Sequence, residues 1–165
     1  MPGLKICITA LMALLLTVPS SAMALKRGDR LPELSGVTLA DKEFNISSLK
    51  GHPLLVKIGT TWCPTCNQQT QEIDKLHDFL TEQGIRYIEV FVQEQTKTVR
   101  QFFNNDRHQL PDVVILDQGG IARELNVYLI PRLLLIDKNF NVYRDGDPLM
   151  AEDLKQELQK MLTKN

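Results

Sequence analysis

The feature that most restricts how this chain can fold is a change of hydrophobic period between residues 54 and 84. Leu54-Leu55-Val56-Lys57-Ile58 is an apolar run broken only by Lys57, the pattern of a mostly buried strand. Thr60-Thr61-Trp62-Cys63-Pro64-Thr65-Cys66 follows, and then Ile73, Leu76, Phe79 and Leu80 recur at helical spacing up to Gly84, a natural C-terminal stop. Pro64 suits the first position of that helix, where a missing N–H costs nothing. The cysteines therefore stand at a strand-to-helix junction, with Cys63 at the helix start and Cys66 one turn inside.

The pattern repeats along the chain. Ile85 to Val92 reads as a strand, Thr98 to Arg107 as a helix with Val99, Phe102 and Phe103 inward, and Val113 to Leu116 as a short strand. A brief helix near Ile121 to Asn126 precedes Leu133 to Ile136 and Phe140 to Tyr143, which read as a hairpin around Asp137-Lys138-Asn139. A last helix carries Leu154, Leu158 and Leu162 on one face. Such alternation implies βαβ units, hence an α/β fold with a mixed sheet covered on both faces. With 165 residues, 43% hydrophobic and 24% charged, the chain can bury one core, and no repeat or internal boundary divides it. A formal net charge of −1 provides no basic field to hold nucleic acid, which is excluded as a partner.

Residues 1–24 stand apart. Lys5, the apolar run Ile6 to Val18 and the small-x-small site Ala22-Met23-Ala24 form the pattern of a cleaved secretory signal. The run falls short of the roughly 20 residues that span a bilayer, which favours cleavage over a retained anchor. The expected mature domain is 25–165, exported into an oxidising compartment. Cys7 leaves with the signal, so only Cys63 and Cys66 remain.

Three uses of that pair compete. Closing so short a loop constrains the unfolded chain little, which argues against a structural staple. Zinc needs four ligands, and His52, His77 and His108 show no ligand-pair spacing with each other or with the cysteines, so no metal is expected. Redox exchange is the reading that survives. Unpaired N–H groups and the helix dipole favour a thiolate at Cys63, while Cys66 is more enclosed and within disulfide reach.

Trp62-Cys63-Pro64-Thr65-Cys66 after a strand, with Ile130-Pro131 before a later one, resembles the thioredoxin superfamily, and more closely its secreted TlpA/ResA/DsbE (CcmG) group. The group's opening is similar to Gly28-Asp29-Arg30-Leu31-Pro32 through Leu49-Lys50-Gly51, its central βα insertion to Thr96 to Asn126, and its end to Leu133-Leu134-Leu135-Ile136-Asp137. The resemblance implies a thioredoxin-like fold and periplasmic thiol–disulfide exchange with protein substrates. It further implies the reducing direction, often for cytochrome c maturation, re-reduction by a CcdA- or DsbD-type membrane donor, and no cofactor beyond the Cys63–Cys66 disulfide. Cys63 resembles the attacking cysteine and Cys66 the resolving one. Pro131 matches the family's cis-proline which, after Ile130, helps present backbone to substrate; an ordinary turn proline is the other reading. Trp62, beside Pro64, reads as a lid next to the cysteines or as plain packing. Glu94 matches a glutamate that ResA-like members place near the active site, or else is a solvated helix-start carboxylate.

Two departures stand out. DsbE proteins carry Gly-x-Pro-Glu where this chain has Leu129-Ile130-Pro131-Arg132. Lys57 stands where thioredoxin has a buried aspartate, so the usual proton acceptor is missing; Lys57 is either solvated or lies under the cysteines, tuning their titration. Two other functions fit the same stretch. Thr60-x-x-Cys63-Pro64-Thr65 is similar to a peroxiredoxin loop, although Pro131 falls where the peroxiredoxin arginine would, and a non-catalytic binding module could carry the cysteines as scaffold.

Overall fold

The computed structural model describes residues 25–105 and 108–164. The expected signal segment, 1–24, lies outside the described residues, as do positions 106–107 at the expected end of the 98–107 helix.

Among the described residues seven strands form one sheet: β1 (Ser35–Thr38), β2 (Glu43–Asn45), β3 (Leu54–Gly59), β4 (Arg86–Val92), β5 (Val113–Asp117), β6 (Arg132–Ile136) and β7 (Val142–Gly146), in the order β2-β1-β5-β4-β3-β6-β7. Strands β3, β4 and β5 run parallel, while β1 pairs antiparallel with β5, and β6 with both β3 and β7. The helices are α1 (Pro64–Asp74), α2 (His77–Glu82), α3 (Thr96–Asn105), α4 (Gly120–Glu124) and α5 (Ala151–Thr163). The expected α/β architecture, with a mixed sheet and a βα insertion, is present.

Alternation along β3 sends its residues to two cores. Leu54, Val56 and Ile58 pack with Ile88, Val90, Ile115 and Leu134 against Leu31, Leu34, Ile46 and Ile121. On the other face Leu55 joins Leu133 and Leu135 under Ile73, Leu76 and Leu80 of the α1–α2 region and Leu154, Leu158 and Met161 of α5. Lys57 and Gly59 share that second face, so whatever α1 turns inward meets them. Helix α1 is held by its own polar side chains: Gln69 Oε1 accepts from Leu149 N at 2.7 Å and Glu72 Oε2 from Ala151 N at 2.9 Å.

Three local expectations need correction, and one hairpin was not expected at all. The helix expected to run unbroken to Gly84 divides after Asp74, where Leu76 N bonds the Ile73 carbonyl at 2.8 Å and tightens the turn. The second hairpin strand begins at Val142 and not at Phe140, because Asp137 accepts the backbone N–H groups of Asn139 and Asn141 and keeps the loop closed that far. The last helix buries Met161 fully, with Leu162 only partly covered. The β1–β2 hairpin at the sheet edge went unread because its half-exposed residues carry no apolar alternation.

Candidate active site

Cys63 is the N-cap of α1, in extended backbone (φ −83, ψ 115), and its Sγ accepts a hydrogen bond from Cys66 N at 3.2 Å. Thr65 Oγ1 lies 3.6 Å from the same sulfur. Burial works against a thiolate here, but hydrogen bonds from Cys66 and Thr65 outweigh it and hold the Cys63 thiol below its ordinary value. Cys66 is fully buried. Burial, with the Cys63 sulfur, pushes its thiol up to about 12, while the Thr60 backbone N–H and the Lys57 charge pull the other way. Both cysteines are free thiols. Two sulfurs one helical turn apart thus have opposite proton affinities, one ready to attack and one held protonated.

The floor of the site is Gly59. A Cβ there would lie 2.9 Å from Cys66 Sγ and 3.2 Å from Cys66 Cβ, so only glycine lets the strand end pass beneath the sulfur. Lys57 is 1% exposed, which decides between its two readings: it lies under the cysteines. Its Nζ donates to Thr70 Oγ1 at 2.6 Å and forms an ion pair with Glu89 Oε1, Glu89 being 0% exposed. Tyr87 Oη donates to the other Glu89 oxygen at 2.5 Å. A buried carboxylate thus stands beside Lys57, on β4, at the position paired with it in the parallel register.

Glu94 does not cap a helix into solvent. It is buried, and its oxygens accept from Thr61 N at 3.0 Å and Thr61 Oγ1 at 2.7 Å, fixing the loop that leads into Cys63. Asn67 Nδ2 donates to Thr61 O at 3.1 Å and ties the same loop to α1. The Ile130–Pro131 bond is cis. Ile58 pairs with Arg132 across β3 and β6, so the buried Pro131 stands one residue further, beside Gly59 at the cysteine end of the sheet. Trp62 is 73% exposed and packs into no core, and Tyr128 and Leu129, just before Ile130, are exposed as well. Arg132 is turned away: it bonds Asp145 through Nε at 2.6 Å, with a second contact from Nη2, and the Leu125 carbonyl at 2.6 Å.

The sequence singled out Cys63, Cys66, Trp62, Pro64, Lys57, Glu94, Ile130 and Pro131, and these residues gather at the C-terminal ends of β3 and β4 and the N-terminal end of β6. It missed Gly59, Thr70, Tyr87 and Glu89. An acid within the apolar run Tyr87-Ile88-Glu89-Val90-Phe91 was a visible signal for one of them, since a lone charge in a buried strand requires a partner.

The Redoxin family matches residues 26–157, and the chain belongs to it. Thiol:disulfide interchange protein DsbE of Vibrio cholerae is 29% identical over 123 residues, covering 73% of this chain and 65%, just under two thirds, of that protein. Thiol-disulfide oxidoreductase ResA of Geobacillus thermodenitrificans is 26% identical over 136 residues, covering 81% of this chain and 77% of its own. A solved thiol:disulfide interchange protein of the thioredoxin family from Chlorobium tepidum superposes with a TM-score of 0.70 at 26% identity, over 84% of this chain and 99% of that one. Within the Redoxin family the chain is a thioredoxin-like thiol–disulfide oxidoreductase of the TlpA/ResA/DsbE type.

Proposed function

We propose that the chain works in the periplasm as a reductant of protein disulfides, through the Cys63–Cys66 pair. The observation that carries the exchange chemistry is the opposed state of the two thiols, Cys63 held down and Cys66 pushed up to about 12. The Cys63 thiolate attacks a substrate disulfide and releases one substrate sulfur as a thiolate, leaving a mixed disulfide. Cys66 then attacks Cys63 Sγ; the Cys63–substrate bond breaks, and the second substrate sulfur leaves with the electron pair. The substrate gains two electrons, and Cys63–Cys66 becomes the disulfide. Exposed Trp62 and the Ile130–Pro131 edge supply the surface on which an extended substrate backbone would lie.

The reducing direction and a CcdA- or DsbD-type donor rest on the resemblance to TlpA, ResA and DsbE. Cytochrome c maturation is the narrower assignment. Arg132 argues against it, standing where DsbE proteins carry glutamate and being committed to Asp145. The same commitment disfavours peroxide reduction, which needs a cation free to stabilise the leaving oxygen. Export with cleavage after Ala24 makes Leu25 the first residue. Leu25 N donates to Asp145 Oδ2 at 3.0 Å, which ties that residue to the fold.

Trapping with a disulfide-bonded protein substrate tests the reading. Cys66→Ala should accumulate mixed disulfides through Cys63, and Cys63→Ala should accumulate almost none; equal trapping by the two variants would refute the division of labour.

A further inference from the structure

Residues 25–31 are bound along the start of β7. Gly28 N donates to the Val142 carbonyl at 2.8 Å, Val142 N to the Asp29 carbonyl at 2.8 Å and Leu31 N to the Phe140 carbonyl at 2.9 Å. Arg30 bridges Asn141 in the same antiparallel sense, and Leu31 and Leu34 are buried in the core beneath. At the head of this segment Leu25 N donates to Asp145 Oδ2 at 3.0 Å.

Asp145 is prepared for a stronger partner than a neutral amide. Its side chain is 1% exposed, and Arg132 fixes it, Nε donating to Oδ1 at 2.6 Å and Nη2 to Oδ2. Arg132 is anchored in turn on the Leu125 carbonyl at 2.6 Å. Ion pairs at a surface are weak because mobile side chains must be ordered and water screens them; this carboxylate is already ordered and dry. Oδ2 has lone pairs for both Arg132 and a second donor.

Cleavage before Leu25 changes the chemistry of the nitrogen that Asp145 holds. Water adds across the Ala24–Leu25 peptide bond: its hydroxyl goes to the Ala24 carbonyl carbon, which departs as a carboxylate, and Leu25 N takes up protons to become an ammonium at neutral pH. One neutral donor becomes three, with a full positive charge, and a hydrogen bond between ions is roughly twice as strong as a neutral one. We propose that Asp145 is the receptor for this new amino terminus, and that the ion pair latches residues 25–31 onto β7. The latch rests on the export reading above, with processing after Ala24. The uncut chain has the hydrogen bond without the charge, so processing itself closes the latch.

The other charges facing this point are matched among themselves. Arg27, Tyr143, Arg144 and Glu157 line the same surface hollow as Leu25 and Asp145. Arg27 lies over the Tyr143 ring, 3.8 Å from its centroid. Lys160, 2.8 Å from Glu157, holds that carboxyl below its ordinary value, with smaller help from Arg27 and Arg144. Asp145 and Arg132 are left to the amino terminus.

Amino-terminal sequencing of the exported protein comes first: a start at Leu25 supports the proposal, and any other start strikes the export reading and the latch together. Protein with a free Leu25 amine is then compared with the same chain carrying an α-acetyl group, which restores a neutral amide at that nitrogen. Paired with Asp145, the folded amine should be roughly tenfold harder to deprotonate than an ordinary one of pKa about 7.7–8.0. A group raised on folding contributes its stability below the unfolded value and loses it as pH climbs through the folded one. The free-amine form should therefore melt about 3 °C above the acetylated form at pH 6.5, and the gap should close by about pH 10. Exchange of the Gly28, Leu31 and Val142 amide protons should be slower in the free-amine form at the lower pH. Asp145→Asn keeps the shape and removes the charge, and should erase the gap; if that variant does not fold, the α-amino titration of the wild type, followed by NMR, decides. A Leu25 start with an α-amino group titrating in its ordinary range, or a melting gap equal at both pH values, would overturn the latch and leave the export reading standing.

Discussion

Replacing Lys57 by methionine isolates the energetic role of the buried ion pair. Methionine keeps the length of the stem, so little volume is lost under Cys66, and the change amounts to deleting a charge. Glu89, 0% exposed, then keeps the Tyr87 hydroxyl as a hydrogen-bond donor but has lost its cation. Breaking a buried pair by removing one partner costs about 3–5 kcal/mol, a large part of the 5–15 kcal/mol that typically holds a domain. Urea unfolding of the reduced protein at neutral pH measures the loss, with unchanged m reporting that only stability has moved. A deficit below about 1 kcal/mol would refute the reasoning, because the pair would then contribute little to the fold.

Gly59→Ala places a methyl group 2.9 Å from Cys66 Sγ, and since Cys66 is fully buried it should cost about 1–3 kcal/mol and slow closure of the Cys63–Cys66 disulfide; unchanged unfolding and closure would show that the floor can yield. Iodoacetamide should modify Cys63 at a pH below the ordinary thiol value of 9.0 and leave Cys66 untouched until pH approaches 12, as mass spectrometry of the labelled peptides would read; similar profiles for both would remove the basis for assigning attack to Cys63. Because the Cys66 pKa is raised on folding, the stability it contributes to the reduced protein is complete below the unfolded value and is lost as pH climbs from there toward about 12. Thermal unfolding of reduced protein across that interval should show the decline, and a flat profile would contradict it.

Much of the site could be read from the chain because its parts are local. The apolar run, the helix-start proline and the cysteines lie within Leu54 to Cys66, and each obeys a rule of short range: strand period, N-cap chemistry, dipole. The opposed thiols follow from the same stretch. What could not be read depended on pairing between strands. Lys57 is ambiguous alone, since a lysine in a buried strand can snorkel or find a partner, and only the β3–β4 register puts Glu89 beside it. Glu94 likewise resembles a helix-start carboxylate until folding brings Thr61 to it. The break between α1 and α2 has no glycine or proline to announce it, and the edge hairpin has no apolar alternation, so neither left a trace that period counting detects.

The equilibrium of Cys63–Cys66 with glutathione tests most directly the claim that this chain reduces protein disulfides. Incubating the protein in buffers of defined reduced-to-oxidised ratio and counting free thiols gives the potential. A reductant should fall near the thioredoxin value, about −270 mV, with the pair largely oxidised in ordinary glutathione mixtures. A potential near −120 mV, the region of strong oxidants, would contradict the account and make the same two cysteines donors of disulfides.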